Sequence, residues 1–182
     1  MTTQIKTGAA LLDLKAEGNK GEISGYGSTF GGEPDSYGDI IAQGAFSESL
    51  AAHKAAGTMP KMFWQHDPGE PIGVWDEVRE DATGLWVKGR LLTDVAKGRE
   101  AASLIAAKAI DGLSIGYRTL KARKDDHGKR LLTELELWEV SLVTFPMLPQ
   151  ARVGAKGDDR DAAEIRALAQ AFDTARMAIR QS

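Results

Sequence analysis

The sequence predicts an α+β fold: a small, partly closed, mostly antiparallel β-barrel surrounded by helices, with an amphipathic helix at the C-terminus. Three observations lead there. Several β-patterned runs of about five to nine residues are separated by dense turn signals. Two alanine-rich helical patterns interrupt them without the regular strand–helix alternation of a doubly wound parallel sheet. Past Pro146, Pro149 and Gly154 the composition changes, and Ile165, Leu168, Phe172, Ala175 and Ile179 recur at spacings of 3, 4, 3 and 4, which is a helical stripe.

Taken in order, "EISGYGSTF" (Glu22 to Phe30) mixes β-formers with glycines and reads as a bent strand. "GGEPDSYGD" follows as a surface loop. "GAFSESLAAHKAAG" reads as a short helix, with Ala45, Leu50 and Ala51 at small or apolar positions and Gly57 as its stop. An aromatic strand, Met62 to His66, then meets a turn expected from Asp67, Pro68, Gly69 and Pro71. The hairpin "IGVWDEVRE", "DATG", "LWVKGRLL" comes next. "TDVAKGREAASLIAAKAI" is expected to be a helix capped by Thr93 or Asp94 and ending before Gly112. Last come two β-patterned runs around a polar turn at Asp125 to Gly128.

Composition narrows the function. The chain has 182 residues, 42% of them hydrophobic and 27% charged, values of an ordinary single-domain soluble protein. No stretch approaches the roughly 20 apolar residues that span a bilayer, so no membrane partner is expected. The start lacks a basic segment leading into a long apolar one, so secretion is not expected either. Zero cysteines remove disulfides, thiol nucleophiles and thiolate metal sites together. A net charge of −3 gives no positive field for nucleic acid.

Without cysteine, a hydrolytic nucleophile must be serine, threonine or lysine, and a serine needs a base because its hydroxyl is barely ionised at neutral pH. Of the three histidines, His53 lies on the first helix, where a surface or half-buried role is the expectation, and His127 in a polar turn, where a solvated role is. His66 stands at the edge of the aromatic strand and is the candidate base. Ser114 lies in "DGLSIGY", where Leu113, Ile115 and Tyr117 form one strand face and Ser114, Gly116 and Arg118 the other. Gly116 is read as leaving room beside an uncrowded, substrate-accessible hydroxyl, although from this heptapeptide alone an ordinary solvated serine is the favoured reading.

The hairpin helps choose an acid to fix the imidazole. With the turn centred between Asp126 and His127, Ser114 faces Glu139; a centre between His127 and Gly128 makes Glu139 a diagonal neighbour, roughly 7–8 Å away along the backbone. Both registers turn Glu136 to the opposite face, whereas a three-residue turn reverses that parity. Glu139 is therefore the candidate and Glu136 the reserve.

Together, "GYGSTF…DSYGDIIAQGAFSESL", "MFWQHDPGEPIGVW", "DGLSIGY" and "LWEVSLVTFPMLPQARV" resemble the HK97-type prohead serine proteases of tailed bacteriophages, a family similar in fold to herpesvirus assemblin. The likeness runs from about Gly25 to Val153. It implies an assemblin-like protease domain over residues 21–154, between an N-terminal extension (1–20) and a C-terminal helical tail (155–182). It also implies a serine endopeptidase that cuts scaffold and capsid-protein segments inside the immature head, in the host bacterial cytoplasm, with cleavage of itself near "VGAKGDD" left open; no cofactor or metal is expected. Major capsid protein and scaffold are then its partners. The family order of His, Ser and acid makes His66 the general base and Ser114 the nucleophile. The herpesvirus relatives use a second histidine as third member, so Glu139 rests on the register argument. Those relatives also use an arginine pair for the oxyanion; only Arg152 stands in the corresponding stretch, and the oxyanion hole stays unassigned between Arg152 and backbone N–H groups.

Because the herpesvirus relatives act as dimers, self-association through Ile165, Leu168, Phe172 and Ile179 stands beside packing of that helix on its own barrel. Two other readings remain. A non-catalytic head-assembly or scaffold-like protein would keep the fold without needing His66, Ser114 and Glu139 together. A metal-dependent hydrolase built on His66, Asp67 and Glu70 lacks further well-spaced histidines.

Overall fold

A computed structural model describes residues 4–6, 21–32, 34–35 and 38–145. In chain order these form β1 (Gln4–Lys6), β2 (Glu22–Thr29), β3 (Asp39–Ile41), α1 (Ser47–Ala56), β4 (Lys61–Trp64), β5 (Asp67–Glu80), β6 (Gly84–Leu91), α2 (Ala96–Ala106), β7 (Gly112–Lys124) and β8 (Arg130–Val143). One mixed sheet runs β1-β7-β8-β4-β5-β6-β2, with β3 paired to β8 off this path. It curls into a half-barrel with α1 and α2 packed against it. The expectation of a C-terminal helix with an apolar stripe concerns residues that lie outside the described ones.

The long strands form as their alternation dictates. Leu113, Ile115 and Tyr117 of β7 are fully buried with Leu137, Val140 and Leu142 of β8, and this face continues into Met62, Ile72, Trp75, Leu85 and Val87. The Trp75 indole N–H donates to the Val140 carbonyl at 3.1 Å, so a large ring enters the core without stranding its donor. On β2, a Cβ at Gly27 would press on Val140 and Ile115 at 3.0 and 3.3 Å. The missing side chain lets β2 fold across β7 and β8, and the bend expected in this strand appears as a bulge between Tyr26 and Ser28.

The sheet is less uniformly antiparallel than expected. β8 pairs antiparallel with β7 but parallel with β3 at Asp39–Arg130 and with β4 at Lys61–Glu139. Between these two parallel partners no strand among the described residues pairs with that edge of β8, and α1 with its lead-in covers it. Leu135 N–H donates to the Ala45 carbonyl at 2.8 Å. Leu137 N–H donates to Ser49 Oγ at 2.9 Å, and the Leu137 carbonyl accepts from His53 Nε2 at 3.0 Å. Buried backbone groups are thereby satisfied by a helix where a strand is missing. His53 is a half-buried structural residue, and His127 is exposed.

Other expectations change in detail. The short strand β3 lies in the chain just after the polar loop. Position 95, a valine, precedes α2, and neither Thr93 nor Asp94 supplies a side-chain cap. The Asp67–Pro71 stretch is no interstrand turn: β5 begins at Asp67, with Trp64 opposite Asp67 and Phe63 opposite Pro71. Pro68, Gly69 and Glu70 are looped out of the ladder, closed by Gly69 N–H donating to Asp67 Oδ1 at 2.8 Å. A proline, having no N–H to give, is tolerated in a strand at such a bulge.

Candidate active site

The connection from β4 to β5 is the pair Gln65–His66, with φ of 51° and 61°. A two-residue hairpin loop of this hand needs both residues left-handed, a role that Asn-Gly fills cheaply. With Gln and His the strain is on the order of 1–3 kcal/mol per residue, and local bonds offset it. Gln65 N–H donates to the Leu142 carbonyl at 2.8 Å. Its side-chain amide donates to Thr144 Oγ1 at 2.7 Å and accepts from Thr144 N–H at 3.3 Å. His66 is thus not on the aromatic strand, as the sequence reading had it, but in the turn beyond it, clamped over the C-terminal end of β8.

Ser114 and Glu139 come from the β7–β8 ladder. Near the loop the register is centred on His127, with Lys124 opposite Arg130 and Arg118 opposite Glu136. Carried unchanged to the far end, that register would seat Val140 opposite Ser114 and put Glu139 on the other face. Trp138 prevents this. Gly116 pairs with Glu139 while Tyr117 pairs with Leu137, so Trp138 is an extra residue and the parity beyond it flips. Ser114 consequently pairs with Ser141, and Glu139 is its diagonal neighbour. The sequence reading reached this diagonal relation through the turn centre; the bulge produces it. Glu136 is not rotated away as expected. It sits opposite Arg118 and is ion-paired to it at 2.7 Å.

His66 bridges the other two side chains. Its Nδ1 lies 3.0 Å from Glu139 Oε1 and its Nε2 lies 2.5 Å from Ser114 Oγ. An ionised carboxylate only accepts, so Nδ1 carries the ring proton, Nε2 presents a lone pair, and the Ser114 hydroxyl donates to it. The other carboxylate oxygen, Glu139 Oε2, accepts a hydrogen bond from Ser141 Oγ. The His66 and Glu139 side chains are 8% and 9% exposed, so the carboxylate is held by directed bonds rather than by water. Such an array can take a proton from serine and offset the charge that the imidazole gains.

Two expectations about Ser114 are overturned. It is 0% exposed, not open to substrate. The space left by Gly116 is occupied by the acid, since a Cβ there would collide with the carboxylate and Cγ of Glu139. Ser141, Gln65 and Thr144 were missed. Ser141 had a readable signal, being two residues from Glu139 on an alternating strand; Gln65 and Thr144 had none. Arg152 lies outside the described residues.

A prohead protease of Enterobacteria phage HK97 is 34% identical over 152 residues, which cover 79% of this chain and 64% of that protein, so the match spans just under two thirds of the relative's length. The fold is similar to that of the bacteriophage T4 capsid assembly protease gp21, with a TM-score of 0.61, 15% identity, and 80% of this chain and 98% of that one covered. Residues 10–165 match the family described as Caudovirus prohead serine protease, and the chain belongs to that family.

Proposed function

We propose that this protein is the serine endopeptidase of head maturation in a tailed phage, cleaving capsid-protein and scaffold segments within the prohead assembled in the host cytoplasm. The observation that carries this reading is the single imidazole bonded at one nitrogen to a serine hydroxyl and at the other to a carboxylate. Ser114 Oγ attacks the scissile carbonyl as its proton passes to His66 Nε2. Glu139 holds the imidazolium in place. The C–N bond then breaks as His66 returns the proton to the leaving amine. Water, deprotonated by the same imidazole, hydrolyses the Ser114 ester and restores the hydroxyl. Ser141 keeps the Glu139 carboxylate aimed at Nδ1.

The test is coexpression with the cognate major capsid protein, followed by mass spectrometry of the products. Ser114→Ala and His66→Ala should each lower cleavage by several orders of magnitude, and the double variant should be little worse, because members of one unit do not add. A fluorophosphonate should label Ser114 and no other residue. Undiminished cleavage by purified Ser114→Ala would overturn the assignment.

A further inference from the structure

The edge of β8 that faces away from β7 changes partner at the Trp138 bulge. Before the bulge α1 holds it, and after the bulge β4 does, with Lys61 paired to Glu139. Leu137, the last residue on the helix side, is gripped at both backbone groups: its N–H donates to Ser49 Oγ at 2.9 Å, and its carbonyl accepts from His53 Nε2 at 3.0 Å. Ser49 and His53 are four residues apart, so one face of α1 presents an acceptor and a donor to the two polar groups of a single strand residue. The grip is itself braced. A carbonyl only accepts, so His53 carries its proton on Nε2, and its Nδ1 accepts from the Thr58 hydroxyl at 2.9 Å. Thr58 N–H in turn donates to the His53 carbonyl at 2.9 Å, just past Gly57, whose φ of 63° ends the helix. At the other end of α1 the Glu80 carboxylate accepts from Phe46 N–H at 3.1 Å and from the Ser47 hydroxyl at 2.6 Å, which fixes the helix to β5.

Resting on the protease reading above, we propose that His53 is a positioning residue for the reaction: acting through Leu137, it holds the bulge that aims Glu139 at His66. Leu137 stands opposite Tyr117 and Glu139 opposite Gly116. The one extra residue between them decides which face Glu139 takes, and a ladder that sheds it turns the carboxylate away from Ser114 and His66. β4 ties the far flank of the bulge and His53, with Ser49, ties the near one. Ser114 and His66 have supports of their own, the β7–β8 ladder and the Gln65 turn. Loss of the His53 bond therefore disturbs the carboxylate first and the nucleophile and base least.

The experiment is a double-mutant cycle on the full chain. It is read as the rate of fluorophosphonate labelling and as kcat and KM on a peptide spanning the capsid-protein cleavage site, with each variant's stability measured in urea. His53→Ala should lower kcat and the labelling rate by about tenfold with KM little changed, whereas the same change made in Glu139→Ala should cost less than about twofold, because the group it positions is already gone. His53→Gln, whose amide can donate to the Leu137 carbonyl, should restore most of the rate, and His53→Leu, with similar bulk and no donor, should not. Thr58→Val leaves the helix and Ser49 in place and should show the same pattern at a smaller loss of about two- to threefold, which keeps the test open if His53→Ala does not fold. No loss in either variant, an equal loss with and without Glu139, or a change confined to KM or to urea stability would sink the proposal and leave the protease standing. A parent that neither cleaves capsid protein nor reacts with fluorophosphonate would remove both.

Discussion

Glu139 reaches His66 through the space that Gly116, opposite it on the ladder, leaves empty. Gly116→Ala should push the carboxylate aside and lower kcat by about 10- to 100-fold with KM little changed, a split that steady-state kinetics reads directly. Glu139→Gln keeps the shape, loses the charge that fixes the tautomer, and should cost more rate than the glycine change. Glu136→Gln should be nearly silent, because its pair with Arg118 is about 40% exposed on both sides and such pairs contribute about 0–1 kcal/mol. Ser141→Ala should reduce kcat roughly tenfold, with Ser141→Thr restoring part of it; a merely structural serine would change stability and leave kcat alone. At this scale much was legible in the sequence. A chain without cysteine offers few nucleophiles; the family resemblance singled out His66 and Ser114, and parity along the hairpin singled out Glu139. Gln65 and Thr144 could not, since an amide supporting a left-handed turn looks like any other polar residue until the turn is seen.

The element that decides the site is the bulge at Trp138. Deleting Trp138 should return β8 to the register of its loop end, turn Glu139 to the opposite face and abolish activity, while circular dichroism still reports a β-rich fold. The bulge shows in the apolar spacing of β8, where Leu137 and Val140 stand three apart and are both buried, and a register counted from the loop alone passes over it and reaches Glu139 by a different route. Pro and Gly mislead in the same way: Pro68 and Gly69 announce a break in the ladder but not whether it lies between two strands or inside one. The β5–β6 hairpin was legible because its periods are long and its turn residues do one job. In that turn Asp81 is pushed up by desolvation but pulled down further by bonds from Thr83 N–H, the Tyr26 hydroxyl, Gly84 N–H and Arg79, so its carboxyl titrates below the usual range. The folded hairpin therefore favours the carboxylate. Its contribution holds at neutral pH and is lost as the pH falls through the depressed pKa; amide exchange of Thr83 and Gly84 should accelerate over that acid range in the parent and be fast throughout in Asp81→Asn.

For the molecule as a whole, the half-barrel with packed helices was foreseeable from strand count and order, whereas the parallel pairings were not, because sequence pattern carries no direction. α1 is what makes those pairings compatible. Ser49→Ala leaves the Leu137 N–H unpaired next to the bulge and should destabilise the fold by about 1–3 kcal/mol in urea titration, with activity falling in parallel through Glu139.

The order in which the strands leave the ribosome matters as well. His66 and Ser114 emerge well before Glu139, which lies on the strand that β3, β4 and β7 all need as a neighbour. At roughly 5–20 residues per second, the chain spends seconds with the proposed base and nucleophile made but without the proposed acid and with no frame to hold them together. Pairings this distant in sequence also close slowly. Translation and folding therefore leave a newly made chain without its complete constellation of side chains for its first seconds.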